Sequence, residues 1–117
     1  MFPKKERISR KDFSSIYKKG KSFHFPNFTF RVSLREDKGQ KFSVVLGGAW
    51  QKKKSLRNKT KRRVAHILKN RKEFFPENVN IICFIKKEAS SLSYKTISER
   101  IKENVLSMKK SFPRSSK

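Results

Sequence analysis

The sequence predicts a single α+β domain, on three observations. Apolar and polar residues alternate with period two from Phe28 to Leu34, the mark of a half-buried strand. Leu56, Thr60, Val64, Ile67 and Leu68 fall on one stripe at the three-and-four spacing of a core-facing helix. Val79–Ile85 is β-branched and apolar on both faces except at Asn80, which predicts a central strand. The chain has 117 residues, 34% of them hydrophobic and eleven of them Phe, which suffices for one modest core and not two.

Each element has its own local signals. Ser9 is placed as a helix N-cap with Asp12 as its reciprocal partner, Ile8 and Phe13 as the hydrophobic staple and Gly20 as the stop. Phe13, Ile16 and Tyr17 share one face of that helix, which either buries them against a sheet or presents them at its rim. In the first long strand Phe28, Phe30, Val32 and Leu34 point one way and Thr29, Arg31 and Ser33 the other. Pro26 implies that pairing begins after it, or that His24 and Phe25 belong to an edge. The polar segment Arg35–Lys41 contains Gly39 and reads as a turn, so that Phe42–Leu46 is expected to return as the second arm of a hairpin.

Gly47-Gly48 breaks that strand, and Ser55 is the expected cap of the basic helix that follows. Phe74-Phe75-Pro76 ends this helix, and the strand Val79–Ile85 follows. A closing helix carries Ile97, Ile101, Val105 and Met108 at four-four-three spacing. Residues 1–110 are thus one domain, and 111–117, with Pro113 and three serines, are expected to be a basic disordered tail.

Charge points to the partner. Thirty-two Lys+Arg against nine Asp+Glu give a net charge of +23. Charge of one sign at this density raises the free energy of the compact state, so a polyanion that neutralises it is expected to stabilise the fold as well as bind. From Lys38 to Lys72 there are thirteen Lys+Arg and no acidic residue. Within the basic helix Arg57 and Lys61 lie one above the other beside the core stripe, and Asn58 and Arg62 form the next row. Guanidinium forks engage phosphate oxygens in pairs, lysines act as point charges, and Asn both donates and accepts. Phe13, Tyr17 and residues of the first strand have the chemistry to stack unpaired bases, although plain core packing explains Phe28 and Phe30 as well.

Other classes find little support. No stretch approaches the roughly 20 apolar residues of a membrane span, and the first residues lack an apolar signal region, so the expected location is the cytoplasm. His24 and His66 are in no ligand spacing, and no phosphate-binding glycine loop or nucleophile elbow occurs, so neither a protein metal site nor a catalytic residue is expected. Cys83, alone inside VNIICFI, reads as a buried thiol. A protein-only nuclease needs clustered acidic ligands, and the adjacent pair Glu36-Asp37 lies in an expected turn. A membrane-active cationic helix would need a broad Trp- or Leu-rich face that the basic helix lacks.

The string Arg57-Asn58-Lys59-Thr60-Lys61-Arg62-Arg63, with Lys53 four residues before it, resembles the RNxxKR signature of the bacterial ribonuclease P protein component. Asp12-Phe13 with Tyr17 and Gly20, the aromatic first strand, and Leu92-Ser93-Tyr94 before the last helix agree with that family in order and spacing. The resemblance implies an α/β sandwich with a central mixed sheet, about three helices and a left-handed βαβ crossover, where sequence alone predicts the right-handed default. It implies that Arg57, Asn58, Lys61 and Arg62, flanked by Lys53 and Arg63, contact the catalytic RNA. Phe13 and Tyr17, with Arg31 beside them, would then line a cleft for the single-stranded 5′ leader of precursor tRNA. Cleavage and most of the magnesium would belong to the RNA, with no obligate protein partner. A structural ribosomal or general RNA-binding protein is the alternative.

The chain departs from the family pattern at Gly47–Lys52, where a Ser-Lys-Lys run and a glycine are usual. It departs again at Ala65, where an arginine is common, and at Lys86-Lys87-Glu88, where an Arg-Pro ending is usual.

Overall fold

The computed structural model describes residues 7–35, 39–46, 54–71, 73, 75 and 78–108. The described elements run α1 (Arg10–Lys19), β1 (Lys21–His24), β2 (Phe28–Leu34), β3 (Gly39–Leu46), α2 (Lys54–Asn70), β4 (Asn78–Ile85), a 3-10 helix (Lys87–Ser91) and α3 (Tyr94–Met108). Lys53, the Gly47–Lys52 departure and the expected tail at 111–117 lie outside the described residues.

The strands form one mixed sheet in the order β1-β2-β4-β3. β4 is central, as its composition predicts, antiparallel to β2 and parallel to β3. This corrects the expected hairpin between β2 and β3, because β4 lies between them. The physical reason is in β4 itself, which is apolar on both faces and is buried on both when it takes the central place between β2 and β3. The hairpin instead joins β1 to β2, with Phe30 opposite Phe23 and the Phe25 N–H donating to the Phe28 carbonyl at 2.9 Å. Pro26 sits in the turn between them, where no ladder N–H is required, and β1 is an edge. Strands β3 and β4, being parallel, need a long connection, and α2 lies within it.

Alternation along the strands gives the sheet two different faces. On one, Phe28, Phe30, Val32, Phe42, Val44, Val79, Ile81, Cys83 and Ile85 pack with Val64, Ile67 and Leu68 of α2 and with Ile97, Ile101, Val105 and Met108 of α3. This is the main core, and both helical stripes read from spacing supply it. Thr60 is buried in the α2 stripe and satisfies its hydroxyl on the Leu56 carbonyl at 3.0 Å. Burial pushes the Cys83 thiol far above its ordinary range, consistent with an inert core residue. Leu34, expected on this face, is exposed at the strand end, and Ser33 before it is buried.

The opposite face carries Thr29, Arg31 and Ser33 of β2 level with Phe84, Ile82 and Asn80 of β4, and then Val45, Ser43 and Lys41 of β3. Helix α1 packs here. Ser9 caps it, accepting from the Asp12 N–H at 3.2 Å while its hydroxyl donates to the Asp12 carboxylate at 3.0 Å. The preceding segment is anchored by the Ile8 N–H on the Phe42 carbonyl at 3.0 Å, with the Ile8 side chain buried. No residue of α1 is fully buried, so Phe13, Ile16 and Tyr17 lie at the rim rather than inside a core. Helix α2 begins at Lys54, so Ser55 is inside it and not its cap. Ser93 does cap α3, accepting from the Thr96 N–H at 3.2 Å. Where β4 leaves the sheet, the Lys86 ammonium donates to the Phe25 carbonyl at 2.7 Å and Arg100 of α3 donates to the Asn27 side chain at 3.2 Å. The departure at Lys86 thus ties the exit of β4 to the β1–β2 turn.

Candidate nucleic-acid interface

The first candidate surface is the cleft between α1 and the sheet face opposite the main core. Four aromatic or basic side chains from three elements meet there. Tyr17 stands edge-on to Phe84 of β4, with ring centroids 5.8 Å apart and planes at 86°. Phe13, one turn earlier on α1, lies nearly parallel to Tyr17 at 6.4 Å. Arg31 of β2 places its guanidinium 4.4 Å from the Tyr17 ring centroid. Its Nε donates to the Tyr17 carbonyl and its Nη1 to the Ser22 hydroxyl of β1. Tyr17 remains 44% exposed, so the cluster is open to a ligand rather than sealed into the fold. The three residues expected in the cleft, Phe13, Tyr17 and Arg31, are therefore brought together.

Along α1 the same sheet face also borders a depression of about 380 Å³ lined by Asp12, Ile16, Lys19, Arg35, Lys41 and Asn80. Arg35 donates from Nη1 to the Asn80 side-chain oxygen at 3.0 Å, and its Nε is buried without a hydrogen-bond partner among the described residues. Asn80 is only 6% exposed and donates to the Ser33 hydroxyl at 3.5 Å. Sequence reasoning assigned no role to Arg35, Lys41 or Asn80. The available signal was Asn80 itself, since a polar side chain in a central apolar strand must find partners.

The second candidate surface is α2. Asn58 and Arg62 are exposed, one turn apart, while Arg57, Lys61 and Arg63 are partly buried at the margins of the core stripe. The two expected rows exist, with different surroundings. The Arg57 Nε is buried and has no hydrogen-bond partner among the described residues, whereas Arg62 stands in solvent. α2 contains no acidic residue, so its own sequence supplies no carboxylate to these cations. One turn beyond Arg62, the His66 Nδ1 meets the Tyr94 hydroxyl at 2.7 Å and ties α2 to α3. Ala65 is buried in the main core, so this position offers no surface donor.

The two surfaces lie on opposite faces of the sheet. α1 covers the Arg31 and Phe84 side, and α2 covers the side bearing Phe30 and Cys83. Among the described residues no group of three or more His, Cys, Asp or Glu could hold a metal ion, and no helix is long and apolar enough to cross a membrane.

Comparison with known proteins agrees with this geometry. The Ribonuclease P family matches residues 2–109. The ribonuclease P protein component of Streptococcus pneumoniae serotype 4 is 34% identical over 90 residues, covering 75% of this chain and 72% of that protein. Among solved structures, the RNase P protein of Staphylococcus aureus superposes with a TM-score of 0.76 at 26% identity, covering 92% of this chain and 98% of that one. The RNase P protein of Thermotoga maritima superposes at 0.74 and 26% identity, covering 86% and 94%. With nearly the whole chain matched by the family and the same fold found in its solved structures, the chain belongs to the ribonuclease P protein family.

Proposed function

We propose that this chain is the protein subunit of a ribonuclease P and assists its catalytic RNA in removing the 5′ leader from precursor tRNA. The observation that carries the reading is a basic helix surface and an aromatic, arginine-bearing cleft on opposite faces of one sheet. An RNA docked on α2 leaves the α1 cleft open for a second strand. Arg57, Asn58, Lys61, Arg62 and Arg63 of α2, with Lys53 before it, contact the catalytic RNA, and Phe13, Tyr17 and Arg31 receive the unpaired leader.

The contribution is electrostatic and positional. Cations on both faces lower the repulsion between two polyanions, and release of condensed counterions drives the association. Guanidinium groups on α2 fork phosphate oxygens and set register, while the cleft lengthens the binding site along the leader. In this reading bond cleavage and most of the magnesium belong to the RNA, and the protein binds and positions. The complex acts in the cytoplasm.

The test is cleavage of precursor tRNA by the cognate RNA at low magnesium, with and without the protein. Rescue that yields a correct 5′-phosphorylated mature end is expected. Tight, salt-sensitive RNA binding without rescue would leave a general RNA-binding protein.

A further inference from the structure

We propose that Gly20 is a positioning residue of the α1 cleft. The space left by its missing Cβ lets the Arg31 side chain reach Tyr17, and the guanidinium so held recognises the sugar–phosphate backbone of an unpaired strand. The inference rests on the cleft reading above and adds to it a residue and a reason.

Gly20 has φ −76° and ψ 158°, an extended conformation that any L-residue adopts. Its backbone therefore does not require glycine, and its N–H closes α1 on the Ile16 carbonyl at 3.0 Å, as any non-proline residue could. The requirement comes from space. A Cβ built on Gly20 would lie 2.7 Å from the Arg31 Cγ, 3.4 Å from its Nε and 3.2 Å from the Ile16 carbonyl oxygen. The tightest contact is near the root of the arginine side chain, not at its flexible end, so a methyl group there turns the whole side chain away.

What would be lost is a guanidinium fixed from three directions. Nε donates to the Tyr17 carbonyl, one of the last-turn carbonyls of α1 that the helix itself leaves without a donor. Nη1 donates to Ser22 on β1, and the guanidinium lies over the Tyr17 ring. These partners are all neutral, so the positive charge is not paired within the described residues. Nη2 makes no hydrogen bond there, which leaves its two N–H groups for an incoming oxygen. Fixing the group beforehand removes side-chain entropy that binding would otherwise cost.

The experiment compares holoenzymes carrying Gly20→Ala, Arg31→Ala and both changes, on precursor tRNA with and without its leader. Arg31→Ala is expected to weaken binding of the leader-bearing substrate by about tenfold and to leave the leaderless one unchanged. Gly20→Ala should reproduce most of that loss, and the double variant should lose no more than Arg31→Ala alone. In the free protein, the Arg31 Nε–H resonance should be protected from solvent exchange and become unprotected in Gly20→Ala. The stability cost of Gly20→Ala should be smaller in the Arg31→Ala background than alone, because the clash with Cγ is gone and only the contact with the Ile16 carbonyl oxygen remains. Wild-type leader preference and Nε–H protection in Gly20→Ala, beside a loss in Arg31→Ala, would overturn the positioning role and leave the cleft reading standing. Unchanged leader preference in Arg31→Ala would overturn the recognition role and remove Arg31 from the cleft reading as well.

Discussion

Arg62→Ala separates docking from folding, because the side chain lies in solvent. Arg62 is exposed, and α2 has no carboxylate to pair with it, so truncation leaves no buried group unsatisfied. Stability should move by no more than about 0.5 kcal/mol, the usual range for a surface change. A guanidinium that forks a phosphate in the complex is worth about 1.5–3 kcal/mol, or a loss of roughly ten- to a hundredfold in affinity for the RNA subunit. The more diagnostic quantity is the salt dependence. Removing one phosphate contact should flatten the slope of log affinity against log salt by about 0.7–0.9. Arg57→Ala should give a similar flattening with a larger effect on stability, because its side chain is partly buried beside the core stripe. Binding isotherms for the RNA subunit across a salt series, with thermal unfolding of the free protein, check both. An unchanged slope for Arg62→Ala would refute the placement of Arg62 on phosphate, whatever happens to the affinity.

Other consequences are open to direct measurement. Tyr17→Ala, which removes the ring held by Arg31 and Phe84, should weaken leader-bearing precursor tRNA more than leaderless tRNA; equal losses in parallel titrations would remove the cleft. Asn80→Ala takes the acceptor from Arg35 Nη1 and the donor from Ser33, so denaturant unfolding should show a loss of about 1–3 kcal/mol, against the few tenths expected of a surface site. The Cys83 thiol, raised by burial, should stay unreactive toward alkylating reagents while the protein is folded. Its ionisation in the unfolded state alone should lower stability as pH rises through the ordinary thiol range; labelling of folded protein at the rate of a free thiol would contradict its burial. A structureless polyanion should raise the unfolding temperature by relieving the +23 charge, an effect that added salt should weaken.

Much of the fold was legible because each element carries its own signal. The α3 stripe, the α2 stripe and the double-sided apolarity of β4 all map onto observed burial. The expected hairpin failed because β2 and β3 are each plausible partners for the other, and local sequence cannot show that a later strand will come between them. Pairing order is a long-range property. Here β4 takes the central place between them, where both of its apolar faces are covered, and its composition had marked it central. Ser55 failed as a cap for a simpler reason. Good capping residues recur in a basic, serine-containing stretch, and the boundary depends on preceding residues whose pattern is weak.

The candidate site was legible in its chemistry more than in its geometry. Charge without acids marked α2, and aromatic spacing marked α1. Neither signal shows that the two surfaces face away from each other, because that follows from the parity of strand positions once β4 is central. Arg31 and Phe84 share one face since Thr29 pairs with Phe84 and Arg31 with Ile82; Phe30 and Cys83, one residue along, share the other. A one-residue slip of β2 against β4 would carry Arg31 to the core face and bury an unpaired cation. The core that holds the sheet in register is therefore also what keeps the cleft charged. Gly20 carries the same logic to a finer scale, since the residue that ends α1, as the sequence predicts, also leaves the space that the Arg31 side chain of a strand occupies.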